Sequence, residues 1–227
     1  MPADVETFRR LLANLRRLLL ADLGRLGNDP SDLMRLVPPL VEDYGGMAAG
    51  LAADYYDEAR ETSMVPGSYL ARPAVPDLSG LDQQLRWAVS PLLDPSLGGD
   101  AAGRVKQVAD VHALQPARDT IADAAERDPA KTRWARVPTG AETCAFCLML
   151  ASRGARYRSR STAAGKYHAD CDCTPAPVWD AADMTALREG GYDPDALQRI
   201  YLDARDAAGS GDVKKILAEI RRAQGVA

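Results

Sequence analysis

The class of fold is decided by the stretch VETFRRLLANLRRLLLADLGRL, which runs from Val5 to Leu26. Its apolar side chains recur at steps of three and four residues, which is the spacing of one face of an amphipathic helix. Gly24, Gly27 and Pro30 predict where this helix ends, because glycine and proline disfavour a helix interior. A long amphipathic helix at this position predicts a mainly α-helical protein.

The same spacing continues along the chain and predicts further helices, separated by glycine and proline. Ser31 is predicted to cap a second helix, which Pro38 and Pro39 must kink or break. Gly45 and Gly46 predict a break before a third helix. Residues 64–80, rich in proline and glycine, predict an irregular connector. The remaining helices are predicted at Met47 to about Arg60, Leu81 to Leu92, Ala101 to Arg127, Ala181 to Arg188, Pro194 to Asp206 and Asp212 to Gln224.

The composition of the 227-residue chain agrees with a helical protein and excludes several classes. Only 6% of the residues are aromatic, whereas alanine and leucine abound, which favours helices over a β-sandwich. No apolar run approaches the ~20 residues of a membrane-spanning helix, which excludes an integral membrane protein. Arginines from Arg9 to Arg17 interrupt any apolar leader, so we expect a cytosolic protein with reduced thiols.

Charge is distributed unevenly along the chain. The formal net charge is -4, but the segment from Lys131 to Lys166 carries +7 and the remainder carries -11. A basic segment in an otherwise acidic protein predicts an anionic partner for that segment, with a solvated charged face as the alternative. The basic residues of this segment are Lys131, Arg133, Arg136, Arg153, Arg156, Arg158, Arg160 and Lys166.

All four cysteines and one of the two histidines lie in the thirty residues from Cys144 to Cys173. A C-x2-C pair and a distant second pair are typical of a tetrahedral zinc site, in which each pair supplies two ligands. Five candidates compete for four positions. Cys144, Cys147 and His168 are the leading ligands, and either Cys171 or Cys173 is the fourth.

Disulfides and buried free thiols are the alternatives to a metal site. A reducing cytosol argues against disulfides, and the catalytic zinc motifs H-E-x2-H and H-x-E with P-C-x2-C are absent. The segment from Arg136 to Val178 also has few large apolar residues, so burial alone would not fold it. The sequence therefore predicts one structural zinc ion, which contributes on the order of 10 kcal/mol to this segment.

Between the two cysteine pairs lies a run of basic residues. If this run is extended, its period of two places Arg156, Arg158 and Arg160 on one face. Such a ridge fits a phosphate backbone and offers no means of reading base sequence. The alternative is local charge balance against the metal site and its acidic neighbours. The predicted nucleic-acid-binding residues are Arg153, Arg156, Arg158, Arg160 and Lys166.

A resemblance to a known family is carried by WARVPTGAETCAFCLMLASRG at residues 134–154 and by YHADCDC at residues 167–173. These stretches resemble the MuF-like minor capsid proteins, or head morphogenesis proteins, of tailed phages that infect actinobacteria. Residues 50–60 and 118–121 are similar to the helical portion of the same proteins. The family's cysteine and histidine motif carries onto Cys144, Cys147, His168, Cys171 and Cys173.

The resemblance implies a structural protein of the virion head, encoded by a phage or a prophage. Such a protein is made in the host cytoplasm and enters the capsid interior during assembly, in one or more copies per virion. Its partners would be the portal protein, the major capsid protein and the packaged double-stranded DNA, with no membrane partner.

The sequence thus predicts a helical region at residues 1–128, a basic zinc-binding module with little β-structure at 131–178, and short C-terminal helices at 179–227. No catalytic motif is found, so we expect that the protein is not an enzyme. A capsid maturation protease or other zinc hydrolase is the first alternative, with His112 as the one unassigned histidine. A free-standing zinc protein that binds DNA is the second.

Overall fold

The computed structural model describes residues 5–138, 143–159, 171 and 173–226, and within them the protein is mainly α-helical, as the sequence predicts. Strands β1 (Arg133–Pro138) and β2 (Cys173–Val178) form a small antiparallel sheet. A short 3-10 turn spans Pro95–Leu97. The described helices are α1 (Val5–Arg25), α2 (Pro30–Thr62), α3 (Leu81–Leu93), α4 (Ala101–Arg127), α5 (Ala145–Ala151), α6 (Ala181–Glu189), α7 (Pro194–Ala208) and α8 (Val213–Gln224).

Helix α1 confirms the apolar stripe from which the fold class was predicted. Its side chains Phe8, Leu15, Leu19 and Leu23 are buried in the main core, which α2, α3 and α4 share. The ring of Phe8 stacks on that of Tyr55 in α2, with 4.5 Å between the ring centroids. The stripe therefore holds α1 against the longest helix of the protein.

Helix α2 differs from the sequence prediction at both its start and its middle. Its N-cap is Asp29, whose carboxylate accepts a hydrogen bond from the Asp32 N–H at 2.9 Å, so the assignment of this cap to Ser31 is wrong. The helix also continues without a break through Pro38 and Pro39, so of the predicted kink or break only the kink stays a prediction. Both prolines lie toward the outside, Pro39 exposed and Pro38 half-buried, so the carbonyl groups that lose a helical donor can be hydrated.

The break predicted at Gly45 and Gly46 is wrong because Gly45 has a packing role. A Cβ at this position would lie 3.0 Å from Pro76 Cγ in the connector and 3.3 Å from Pro116 Cγ in α4. Only a residue without a side chain lets these two proline rings approach the helix so closely. The glycine therefore permits a close three-way contact inside one continuous helix.

Substitution of the two adjacent glycines by alanine should have opposite effects on stability. Gly46 is exposed and a Cβ there meets no atom within 4 Å, so Gly46→Ala should raise the free energy of unfolding by about 0.5–1 kcal/mol through helix propensity. The free energy of unfolding of the Gly45→Ala variant should be about 1–3 kcal/mol lower than that of Gly46→Ala, because the new methyl group crowds two rigid proline rings. Urea denaturation of both variants measures the difference, and equal stability would contradict the close contact.

The connector between α2 and α3 is extended and irregular, as predicted for residues 64–80. The Ala71 N–H donates to the Asp57 carboxylate of α2 at 2.8 Å, and the Ala74 N–H donates to Thr120 Oγ1 of α4 at 2.9 Å. These bonds hold the connector on the surface of both helices.

A cluster of buried and partly buried polar side chains, which we call the Asp128 network, lies between the end of α4 and the start of β1. Its members are Tyr56, Arg60, Asp128, Thr132 and Trp179. The Asp128 carboxylate pairs with the Arg60 guanidinium at 3.1 Å and accepts hydrogen bonds from the Tyr56 hydroxyl at 3.1 Å and the Trp179 indole at 3.3 Å. The network therefore joins α2, the end of α4, the start of β1 and the chain after β2.

The sheet pairs Arg133 with Val178 at one end and Pro138 with Cys173 at the other. Trp134 of β1 and Tyr157 are buried and belong to the main core, while two smaller apolar clusters hold the sheet, α5 and the C-terminal helices. The division into three regions at 1–128, 131–178 and 179–227 stays a prediction. Among the described helices, none combines the length and apolar character needed to cross a membrane.

Candidate metal centre

Three of the four cysteines converge at one point between the sheet and α5. Cys147 lies in α5, Cys171 lies just before β2, and Cys173 is the first residue of β2. Their sulfur atoms all lie within 4.8 Å of one another, and the Sγ atoms of Cys147 and Cys171 are 3.2 Å apart. We call these three residues the cysteine cluster. Cys147 and Cys173 are buried, and Cys171 is half-buried.

The other two predicted ligands have different outcomes. Cys144 packs against the cluster and is the N-cap of α5, where its Sγ accepts a hydrogen bond from the Cys147 N–H at 3.4 Å. His168 lies outside the described residues. The sequence analysis treated Cys171 and Cys173 as alternatives for one position, whereas the structure brings both of them to Cys147.

Two buried arginines from different elements hold the cluster in place. The guanidinium of Arg136, in β1, is fully buried and donates to the sulfur atoms of Cys147 and Cys171, both at 3.4 Å. Arg118, in α4, donates to the backbone carbonyl of Cys171 at 2.9 Å. Because burial of a guanidinium is costly unless an anion is near, Arg136 favours thiolates in the cluster.

The protons of the cluster are shared unequally. Hydrogen bonds from the thiols of Cys147 and Cys173 lower the pKa of Cys171, and the charges of Arg118 and Arg136 lower this pKa further. The pKa of Cys147 is raised instead, because its thiol is held in hydrogen bonds with Cys144, Cys171 and Cys173. Cys171 is therefore the cysteine of the cluster whose ionisation is most favoured, and a metal ion would displace the thiol protons.

The donor set fits a structural zinc ion. At a Zn–S distance of about 2.3 Å, the sulfur atoms of a tetrahedral site lie about 3.8 Å apart, so three sulfurs within 4.8 Å are close to this arrangement. The group consists of cysteines alone, and soft thiolates select zinc over magnesium or calcium. Cys144 and His168 are the candidates for the fourth position. The three close cysteines can hold a metal ion.

The predicted arginine ridge is described for its first half. Arg153, Arg156 and Arg158 are exposed, whereas Tyr157 is buried against Trp134, so the chain alternates outward and inward as an extended segment should. Arg160 and Lys166 lie outside the described residues.

His112, the histidine of the protease alternative, lies on α4. Its Nδ1 atom is 3.3 Å from the backbone carbonyl of Asp77 in the connector.

Sequence analysis counted Arg136 in the basic segment that predicts an anionic partner, and it did not link Arg136 or Arg118 to the cysteines. One signal for Arg136 is available in the sequence, because it stands two residues after Trp134 and therefore on the same side of an extended strand. An arginine aligned with a buried tryptophan points to an internal partner. No comparable signal marks Arg118, since its contact with Cys171 joins residues that are 53 positions apart.

Comparison with known proteins places these features among phage proteins. The profile of the VG15 protein family matches residues 2–204. The Gene 15 protein of Mycobacterium phage D29 is 33% identical over 171 residues, which cover 69% of this chain and 58% of that protein. The Gene 15 protein of Mycobacterium phage L5 is 27% identical in an alignment 230 residues long, gaps included. This alignment covers 78% of this chain and 73% of that protein. No solved structure matches.

Proposed function

The chain belongs to the VG15 protein family, and from this phage family membership we propose that it is a structural minor capsid protein of a tailed-phage head. It acts in head assembly, near the portal and the packaged DNA, in the manner of the MuF-like proteins that its cysteine region resembles. It holds a structural zinc ion and has no catalytic role. Its place is the capsid interior, after synthesis in the host cytoplasm.

The observation that carries this proposal is the cysteine cluster with its buried arginine. A catalytic zinc site keeps an open coordination position beside a general acid or base. Among the described residues the group contains cysteines only, two of them buried, and the guanidinium of Arg136 that donates to it cannot act as a general base. Such a centre supports a role in holding β1, α5 and β2 together.

The exposed arginines support a position beside packaged DNA. Arg153, Arg156 and Arg158 project from the segment that the cluster anchors, and they present positive charge to solvent. Arginine suits phosphate oxygens, because its planar guanidinium donates two parallel hydrogen bonds. A protein that contacts densely packed DNA of any sequence needs contacts of this kind.

Incorporation into heads tests the proposal. The chain is co-expressed with the portal and major capsid proteins of a tailed phage that carries it, and assembled heads are separated from free protein on a density gradient. We expect the chain to sediment with the heads, and quantitative mass spectrometry gives its amount relative to the portal protein. Heads assembled without the portal protein serve as the control and should lack the chain.

Two outcomes would contradict the proposal. A chain that stays at the top of the gradient whenever heads form is not a head protein. Proteolytic processing of the major capsid protein that is lost in His112→Ala would identify the chain as a protease instead, because His112 would then act in catalysis.

A further inference from the structure

We propose that Arg133, Arg153, Arg156 and Arg158 form one binding surface for the phosphate backbone of double-stranded DNA, and that the cysteine cluster sets its geometry through β1. This inference rests on the proposed function in one respect, which is that the bound polyanion is DNA. It adds Arg133 to the predicted residues, and it makes binding dependent on the metal centre.

The four arginines come from three separate places in the chain. Arg133 is the first residue of β1, Arg153 follows the end of α5, and Arg156 and Arg158 belong to the extended segment beside β1. Together with Ala155 and Met184 they line a shallow concave surface, and all four are exposed. A concave surface lined by four guanidinium groups fits the convex, negatively charged backbone of a duplex.

This surface differs in its charge balance from three exposed arginines on the helices. Arg35, Arg86 and Arg222 each pair with a carboxylate three or four residues away on their own helix. Within the described part of the chain, no carboxylate lines the concave surface, and none of its four arginines forms an ion pair. Asp195 lines the adjoining pocket with Arg153 and Arg156, but its carboxylate pairs with Arg188 at 2.8 Å. The positive charges of the surface repel one another, so an external anion is favoured there.

Buried contacts fix the backbone of the extended segment. The Trp134 N–H donates to the Tyr157 carbonyl at 2.9 Å, and the Tyr157 N–H donates back to the Trp134 carbonyl at 3.3 Å. The Tyr157 hydroxyl donates to the Leu150 carbonyl at the end of α5 at 2.7 Å. Because Tyr157 points inward, Arg156 and Arg158 on either side of it point outward. The arginines are therefore placed before any ligand arrives, which reduces the entropy lost on binding.

Strand β1 connects this surface to the cysteine cluster. Arg133 stands at one end of the strand and Arg136, three residues later, donates to the cluster sulfurs. At the far end of the strand, Pro138 pairs with Cys173, which is itself a member of the cluster. Release of the metal would loosen β1, which positions Arg133 directly. Because Trp134 of the same strand pairs with Tyr157, it would also loosen the segment that carries Arg156 and Arg158.

The test measures binding of the zinc-loaded protein to a short, fluorescein-labelled duplex of random sequence by fluorescence anisotropy across a salt series. Arg133→Gln and Arg156→Gln should each weaken binding about tenfold at low salt. Each should also reduce the slope of log K against log salt by about 1, the value expected for one lost phosphate contact. Arg72→Gln, at an exposed arginine of the connector, is the matched control and should change neither quantity.

A second arm tests dependence on the metal. Treatment with a chelator should abolish binding at low salt, while circular dichroism shows that most of the helical content is retained. Melting curves of the arginine variants that match wild type establish that their loss of binding is not a loss of folding. Unchanged binding after chelation, with the metal shown to be removed, would overturn the link between the cluster and the surface.

The outcomes separate this inference from the proposed function. A flat salt response of wild type, or equal losses in Arg72→Gln and Arg156→Gln, would overturn the surface even if the chain enters heads. DNA binding with the expected slopes in a chain that never enters heads would support the surface and contradict the head protein. A strong preference for one base sequence would contradict backbone recognition and favour a DNA-binding regulator.

Discussion

Cys147→Ser should lose the bound metal and most of the stability of the segment from β1 to β2. Its sulfur lies within 4.8 Å of both other cluster sulfurs, and serine is a poor zinc ligand. Because metal binding contributes on the order of 10 kcal/mol to such a segment, the loss exceeds what the small sheet can offset by burial. Elemental analysis should find about one zinc ion per wild-type chain and none in the variant, and calorimetric melting should show an earlier transition.

The matched variant for Cys147→Ser is a substitution of Cys144, the cysteine just before α5. Cys144→Ser keeps a side-chain acceptor for the Cys147 N–H, so it preserves the helix cap while it removes a sulfur. Loss of zinc in this variant would make Cys144 the fourth ligand, and retention would assign that position to His168. Wild-type protein that is purified under reducing conditions with no metal would contradict the site as a whole.

Asp128→Ala should lower the free energy of unfolding by about 3–5 kcal/mol, the cost of leaving a buried charge without its partner. The Asp128 side chain is fully buried, and the Arg60 side chain is 9% exposed. The same substitution also removes the acceptor for Tyr56 and Trp179. Urea denaturation, followed by circular dichroism, measures the effect.

The exposed pair between Asp82 and Arg86 on α3 supplies the control. The side chains of Asp82 and Arg86 are 69% and 71% exposed, so Asp82→Ala should cost less than about 1 kcal/mol. If the two alanine variants lost similar stability, the Asp128 network would not be the buried electrostatic centre that its geometry indicates.

The stability of wild type should also respond to acid through Asp128. Burial raises the pKa of Asp128, but hydrogen bonds from the Ala130 N–H and from the Arg60, Tyr56 and Trp179 side chains outweigh burial, so this pKa is lowered overall. Because the folded-state pKa lies below the unfolded value of about 3.9, the contribution is complete above that pH and is lost as the pH falls through the folded value. The difference in stability between wild type and Asp128→Ala should therefore shrink in acid.

The helices were predictable wherever a local signal decides them. The stripe of α1 is visible in its leucines, and the ends of α4 follow from its flanking residues. The continuity of α2 was not predictable, because it depends on contacts with Pro76 and Pro116, which are remote in sequence. Local propensity assigns a break to Gly45, and tertiary packing overrides that assignment.

The sheet and part of the site could not be predicted either, because they also depend on contacts between residues that are remote in sequence. Strand β2 contains Pro175 and Pro177, which argue against a strand, but a sheet of two strands has only edges and tolerates them. The spacing of the cysteines predicted that they would gather at one site, and the structure brings three of them together. Which cysteines meet, and the burial of Arg136 among them, depend on the pairing of β1 with β2, for which the sequence offers no register signal.

The Asp128 network has a consequence for the order of folding during synthesis. Asp128 is 72 residues from Tyr56, 68 from Arg60 and 51 from Trp179. Domains generally begin to fold as the chain leaves the ribosome. Arg60 and Asp128 can therefore meet before Trp179 has been synthesised, and we expect water to take the place of the indole until then. We expect the ion pair to lose this hydration only when the chain beyond β2 has emerged, so that the N-terminal helices reach their final stability after most of the protein has been translated.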